Sequence, residues 1–78
     1  MNKHIKVFKD LIVNAGLVIR NIYTLNTMEG NCICVEVSTG HTLKHNIDTN
    51  TYHIFKGWSN IATPLTLTKF NQQIATLI

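Results

Sequence analysis

The sequence is poor in the residues from which most catalytic and nucleic-acid-binding sites are built. Its 78 residues include four carboxylates, one arginine, one proline and two cysteines, and charged residues make up only 14%. No apolar run approaches the roughly 20 residues of a membrane-spanning helix. Asp10 interrupts the first apolar segment, and no small-residue cleavage site follows it. We therefore expect a single domain over residues 1–78 that is soluble, lies in the cytoplasm and has no contact with a membrane.

The shortage of acidic residues and of clustered glycines argues against an enzyme. A paired-carboxylate mechanism needs two acids at one bond, but Glu29 and Asp48 lie in or beside turn-forming segments. Glu36 is expected to contact its basic neighbours Arg20 and Lys44 across the strands. The four glycines are isolated, so no phosphate-binding loop is present. We expect a non-enzymatic protein without a cofactor.

Cysteine and histidine are the remaining candidates for chemistry. Side chains two apart in a strand, as Cys32 and Cys34 are, lie about 6.6–6.8 Å apart along it, too far for a disulfide, which favours a reducing compartment. Cys34 beside Lys44 is a conceivable nucleophile of lowered pKa, but we favour the interpretation that it packs as a small strand residue. His41 and His45 would lie about 13 Å apart along a strand, too far for one metal ion. We predict no metal site, and each of these rings is expected at a margin of the core with one nitrogen hydrogen-bonded.

Both ends of the chain have helical periodicity. From residue 3 to residue 15 apolar side chains recur on one side, and Gly16 follows where a left-handed C-cap is expected. Near the other end, Thr63 is predicted to cap a helix whose first residue is Pro64. The apolar stripe of this second helix comprises Leu67, Phe70, Ile74, Leu77 and Ile78.

Between the helices the apolar period changes to two, which predicts strands over residues 17–25, 32–38, 41–47 and 52–55. Residues 27–31 and 37–41 each fit a three-residue hairpin loop that ends in glycine. In the second hairpin this loop pairs Val35 with Leu43, so that the apolar faces of the two strands coincide. The same loop in the first hairpin pairs Leu25 with Ile33 and Tyr23 with Val35.

The order α-β-β-β-β-α predicts an α+β fold. We expect a two-layer sandwich in which a four-stranded antiparallel meander carries the N-terminal and C-terminal helices on one face. The face predicted to lie under the helices comprises Ile19, Tyr23, Leu25, Ile33, Val35, Val37, Leu43, Ile47, Tyr52 and Ile54. The opposite face, which we call the open face, is predicted to carry Arg20, Ile22, Thr24, Cys32, Cys34, Glu36, Thr42, Lys44, Asn46, His53 and Phe55.

The open face and the loop after it provide the best candidate for function. Arginine and aromatic residues are enriched where the binding energy of interfaces concentrates. We therefore predict a partner-binding site at Arg20, Lys44, Phe55, Lys56 and Trp58. The expected partner is a host protein or ribonucleoprotein complex, and the chain itself is expected to be a monomer or a homodimer.

The alternative is a weak nucleic-acid-binding module that uses Lys3, Lys6, Lys9 and Lys44, in keeping with a net charge of +3. The helix–strands–helix order and slight basicity resemble a double-stranded-RNA-binding domain, whose helices also pack on one face of an antiparallel sheet. That family has a lysine-rich cluster at the start of its second helix. Residues 63–69 of this chain contain Lys69 alone at the matching place. The resemblance implies weak RNA binding.

The small size of the chain, its lack of catalytic groups and its abundance of asparagine and threonine suggest a second comparison. In these respects it is similar to small phage or mobile-element proteins, including anti-CRISPR inhibitors. This similarity of class implies an inhibitor of a host defence complex that acts by occupying a surface of its target.

Overall fold

The chain forms one antiparallel sheet with a helix at each end of the sequence. The computed structural model describes residues 2–57 and 59–77, with side chains for residues 3–57 and 64–77. The elements are α1 (Asn2–Asn14), β1 (Ile19–Thr27), β2 (Gly30–Val37), β3 (His41–Asn46), β4 (Thr51–Lys56), β5 (Ser59–Leu65) and α2 (Leu67–Ile74). The strands lie side by side in chain order. The predicted α+β class and meander are confirmed, but the sheet has five strands rather than four.

The extra strand occupies the segment that was predicted to begin the second helix. β5 pairs antiparallel with β4, with Tyr52 opposite Leu65, and it contains Pro64. An edge strand tolerates proline because the missing N–H is not needed by a further strand. α2 begins one turn later, where Thr66 is the N-cap and its hydroxyl accepts a hydrogen bond from the Lys69 amide at 3.3 Å. The prediction of Thr63 as cap and Pro64 as first helical residue was wrong.

The helices pack on the face of the sheet that the alternating pattern of β2, β3 and β4 predicted. The buried core comprises Phe8, Ile12, Leu17, Ile33, Val35, Val37, Leu43, Tyr52, Ile54, Phe70 and Ile74. The two-layer arrangement is therefore confirmed. α1 ends as predicted, since Gly16 has φ +93° and its amide donates to the Val13 carbonyl at 2.9 Å. Neither helix in the described ranges has the length and apolar character needed to cross a bilayer.

Aromatic rings fill the space between the sheet and the helices. The rings of His45 and Tyr52 stack with centroids 4.1 Å apart, and Phe70 of α2 lies 4.8 Å from Tyr52. The His45 side chain is buried, and its Nε2 lies 3.2 Å from Asn50 Oδ1, so one ring nitrogen is hydrogen-bonded. At the other end of β3, His41 Nδ1 lies 2.7 Å from a threonine hydroxyl. The predicted hydrogen bond to one nitrogen of each of these two rings is confirmed.

The register of the second hairpin is as predicted, but that of the first is not. Val35 lies opposite Leu43, as the three-residue loop requires. In the first hairpin, however, Val35 lies opposite Ile22, and Tyr23 lies opposite Cys34. A change of one residue sends every side chain of the strand to the other face of the sheet. Ile22 and Thr24 therefore face the helical side, while Tyr23 and Leu25 belong to the open face.

A bulge in β1 and a short first loop produce this register. A bulge between Ile19 and Asn21 leaves Arg20 unpaired, so Ile19 and Ile22 both face the helical side despite their odd separation. The first loop is one residue shorter than predicted, because Thr27 pairs with Gly30. Gly30 has φ +138°, and a Cβ atom there would lie 2.6 Å from the Asp48 carboxylate. This close contact across the sheet demands glycine for a reason that local loop chemistry does not reveal.

Candidate functional site

The open face consists of three rows of side chains that run across β1 to β4. The central row is Tyr23, Cys34, Lys44 and His53. One flanking row is Leu25, Cys32, Asn46 and Thr51. The other flanking row is Asn21, Glu36, Thr42 and Phe55. Both helices pack on the other face; within these rows Cys32, Cys34 and Asn46 are buried, and the other side chains are partly or fully exposed.

Lys44 and Phe55, two of the predicted binding residues, are in contact on this face. The Lys44 ammonium lies 5.4 Å from the centroid of the Phe55 ring, a cation–π distance. The His53 ring stacks on the same phenyl ring, with centroids 6.2 Å apart and planes 19° from parallel. Burial and the nearby Lys44 charge lower the pKa of His53, so this ring is neutral at neutral pH. The contacts hold a cation and two rings in one partly exposed patch.

Tyr23 and Leu25 add an apolar margin that the sequence interpretation placed in the core. Their side chains are 36% and 44% exposed. Burial, followed by the neighbouring Cys34 and Glu36, raises the pKa of Tyr23 above its ordinary value. No ion pair joins Glu36 to Arg20 or Lys44; the ion pair found between described residues is Lys6–Asp10. The alternation of apolar and polar residues in the sequence does not reveal the bulge, after which Tyr23 and Leu25 face the open side.

The two cysteines are enclosed by their neighbours in the middle of the open face. Cys32 and Cys34 are free thiols with 0% and 2% exposure. Burial, and next the neighbouring Cys32, raise the pKa of Cys34 to about 11, outweighing the opposite effect of Lys44. The hypothesis of a lowered pKa is contradicted, because the thiol is protonated at neutral pH. Cys34 is a packing residue.

The other three predicted binding residues do not join this patch. Arg20 lies in the bulge and lines a polar hollow of about 570 Å³ at one end of the sheet, where it borders the open face through Glu36. Lys56 is exposed, but it lies opposite His41 and alternates with Phe55, so it points to the helical side. Trp58 lies outside the described residues. Lys56 ends β4 and does not share a face with Phe55.

The four lysines proposed for nucleic acid do not share a surface either. Lys3, Lys6 and Lys9 are exposed on α1, on the helical side of the sheet, whereas Lys44 lies on the open face. Lys6 is also partly neutralised by Asp10, with Nζ 3.2 Å from the carboxylate. A duplex bound along α1 would not reach Lys44.

A groove that the sequence interpretation missed lies between α1, β4 and α2. It has a volume of about 460 Å³, and Val7, Tyr52 and Leu67 are among its lining residues. Helical periodicity placed Val7 in the core, but its side chain is exposed on the groove wall. Leu67 is 48% exposed, close to the value for Leu25 on the open face. The molecule therefore has apolar surface on both sides.

No three histidine, cysteine or carboxylate side chains of the described ranges converge as metal ligands would. Comparison with protein-family models, with curated proteins and with solved structures yields no match to this chain. Function must therefore be inferred from the surface itself.

Proposed function

We propose that this protein is a non-enzymatic binding protein that acts by covering a surface of a macromolecular partner with its open face. The observation that supports this most is the contact of the partly exposed Lys44 and Phe55 on the sheet face opposite the helices, where Tyr23 and Leu25 are also exposed. Aromatic side chains stabilise interfaces through large buried area at low entropic cost, and a positioned cation adds specificity.

The charge of the open face favours a protein or the protein part of a ribonucleoprotein as the partner. Across its three rows the face has one lysine, Lys44, and one carboxylate, Glu36. Binding to nucleic acid depends on several cations that displace counterions from phosphates. An interface with apolar residues and balanced charge is instead typical of protein–protein contacts.

A more specific form of the proposal is an inhibitor, encoded by a virus or mobile element, that blocks a host defence complex. Its support is the short length, the asparagine and threonine content and the absence of a catalytic constellation in the sequence. The measurement is protection of an invading plasmid or phage in a host whose defence complex is active. Wild-type protein should protect it, and open-face variants that still fold should not.

The direct test of the proposed face is capture of the partner from host extract with two matched pairs of variants. Lys44→Glu and Lys9→Glu change the net charge equally but lie on opposite sides of the sheet. Leu25→Ser and Leu67→Ser truncate two leucines of nearly equal exposure, one on the open face and one in the groove. We expect the first member of each pair to lose the partner and the second to retain it.

The reverse pattern would refute the open face as the binding site. Loss of binding with Leu67→Ser alone would assign function to the groove. The nucleic-acid alternative predicts that Lys9→Glu weakens binding to duplex RNA or DNA. It also predicts that the logarithm of affinity falls with the logarithm of salt at a slope of about −0.9 per phosphate contacted. Binding that survives nuclease treatment and is unchanged in Lys9→Glu excludes that alternative.

A further inference from the structure

Exposed apolar side chains concentrate along one edge of the sheet. Seven large hydrophobic residues are exposed in the described part of the chain, and four of them lie in or beside β1. These four are Val18, Tyr23, Leu25 and Met28. Single exposed apolar residues need no explanation, but a cluster along one element indicates a contact surface.

β1 also lacks the devices that normally keep a sheet edge from pairing. Residues 21–27 contain no charged residue and no proline, and the bulge at Arg20 lies before this stretch. The opposite edge, β5, contains Pro64. Unprotected edges of this length pair readily with another strand, because a row of backbone amides and carbonyls remains available.

The backbone hydrogen bonds identify which groups of β1 face outward. The Ser38 amide donates to the Val18 carbonyl at 2.9 Å, and the Asn31 carbonyl accepts from the Ile47 amide at 3.0 Å. Even-numbered residues of β2 thus bond to β1, and odd-numbered residues bond to β3. The partners of the even-numbered residues are Asn21, Tyr23 and Leu25. The residues between them, Ile22, Thr24 and Asn26, therefore direct N–H and C=O groups away from the sheet.

We propose that two copies of the chain associate through β1, antiparallel and about a two-fold axis at Thr24. Only residues with outward amides can exchange hydrogen bonds across the edge, so Ile22, Thr24 and Asn26 must pair among themselves. Centring the register on Thr24 pairs all seven residues of the stretch 21–27. Thr24 then lies opposite its own copy, Ile22 opposite Asn26, and Tyr23 opposite Leu25.

The ends of β1 are complementary in this register. Arg20 of each copy comes beside Met28 and Glu29 of the other, because the strands run in opposite directions. The positive charge at the start of β1 thus meets the negative charge at its end, and the exposed Met28 approaches Val18. Both contacts occur twice, as a two-fold interface requires. A strand from another protein would need a negative charge near Arg20 and a positive charge near Glu29. A second copy of this chain meets both requirements by symmetry.

The two-fold axis is perpendicular to the sheet, so association produces a ten-stranded sheet with both open faces on one side. The dimer therefore presents two patches of Lys44 and Phe55 in one plane. A partner with two equivalent sites would bind such a dimer more tightly than a monomer through effective concentration.

The test is the dissociation constant of the purified chain, measured by sedimentation velocity over a concentration series. Wild type is expected to dimerise. Thr24→Lys places like charges opposite each other on the axis and should weaken the dimer about fivefold. A mixture of Thr24→Lys with Thr24→Glu should restore association as a heterodimer. Thr68→Lys, at an exposed threonine of α2, is the matched control and should leave the dissociation constant unchanged.

A second variant tests the backbone pairing itself. Thr24→Pro removes an N–H that points away from β2, so the monomer keeps its internal hydrogen bonds. In the dimer it removes two hydrogen bonds across the axis, and we expect at least about tenfold weaker association. Circular dichroism and thermal unfolding confirm that the variant folds.

Three results would overturn the proposal. The first is a wild-type chain that stays monomeric at every concentration. The second is a dimer that neither Thr24 variant weakens, and the third is failure of the lysine and glutamate variants to associate when mixed. A dimer lost only with Leu67→Ser would assign association to the groove. None of these results depends on whether the open face binds a partner.

Discussion

Asn46 links two turns at the end of the sheet, and its removal provides a quantitative test of the fold. The side chain is 2% exposed, although the sequence interpretation placed it on the open surface. Its Nδ2 donates to the Glu29 carbonyl at 3.3 Å, which connects it to the loop between β1 and β2. Its Oδ1 accepts from the amides of Asp48 and Thr49 at 3.0 and 3.1 Å, which closes the turn between β3 and β4.

Asn46→Ala deletes all three hydrogen bonds. At about 1 kcal/mol net for each, the free energy of unfolding should fall by about 3 kcal/mol. For a domain of this size that corresponds to a decrease in Tm on the order of 15 °C. Urea unfolding followed by circular dichroism measures the first quantity, and a thermal scan measures the second. Asn46→Ser should lose less, since its hydroxyl can still accept from the amide two residues on.

Asn71→Ala is the matched control, because Asn71 is exposed on α2. Surface substitutions of this kind change stability by about 0.5 kcal/mol or less. If Asn46→Ala and Asn71→Ala differ by less than about 0.5 kcal/mol, the side chain does not connect the turns, and the account of this end of the sheet is wrong.

Two further outcomes follow from the ionisable groups. Burial lowers the pKa of His45 below its ordinary 6.5, so at acidic pH the unfolded chain binds more protons than the folded one. The free energy of unfolding should therefore decrease as the pH falls below about 6.5, and less steeply in His45→Phe; equal urea midpoints at about pH 7.5 and about pH 5 would contradict this. Because the pKa of Cys34 is raised to about 11, folded protein should react slowly with a thiol reagent at neutral pH, and unfolding in urea should speed the reaction. A fast-reacting thiol in the folded chain would show that the open face is less closed around the cysteines.

The parts of the fold that could be predicted from sequence are those whose cause is local. Gly16 ends α1 in the left-handed conformation that its position after the apolar stripe indicates. Gly40 does the same in the second hairpin, where its amide donates to the Val37 carbonyl at 3.0 Å. With that loop length set, the apolar faces of β2 and β3 can coincide in only one register. The core of the sheet follows from it.

The register of the first hairpin was predicted wrongly because its determinants are not local. β1 has apolar residues at both odd and even positions, so its pattern fits either face, and the bulge at Arg20 changes the parity within the strand. The loop length depends on Gly30 packing against Asp48, eighteen positions later in the chain. A three-residue loop was chosen on its similarity to the second hairpin. That similarity carries no information about the contact with Asp48.

The last strand was missed because proline has two opposite structural meanings. Pro64 after Thr63 satisfies the preferences of a helix N-terminus, and Pro64 in an edge strand satisfies those of a sheet margin. The distinction depends on whether β4 has a free edge that this segment can cover. Thr66 offers the same capping chemistry three residues later. The sequence therefore predicted a threonine N-cap correctly but placed it three residues too early.

The corrected register connects the two proposed surfaces. Tyr23 and Leu25 lie on the open face because of the bulge, and they also flank Thr24, at which the two-fold axis is placed. In a dimer they would pair across the axis and form an apolar seam between the two patches of Lys44 and Phe55. Lys44 is two strands away from the β1 edge, so a charge reversal there affects the patch without touching the seam. Thr24 faces the helical side, so its substitution weakens the pairing of the two β1 strands without altering the patch. Loss of partner binding and loss of self-association can therefore be separated by residues on different strands and different faces.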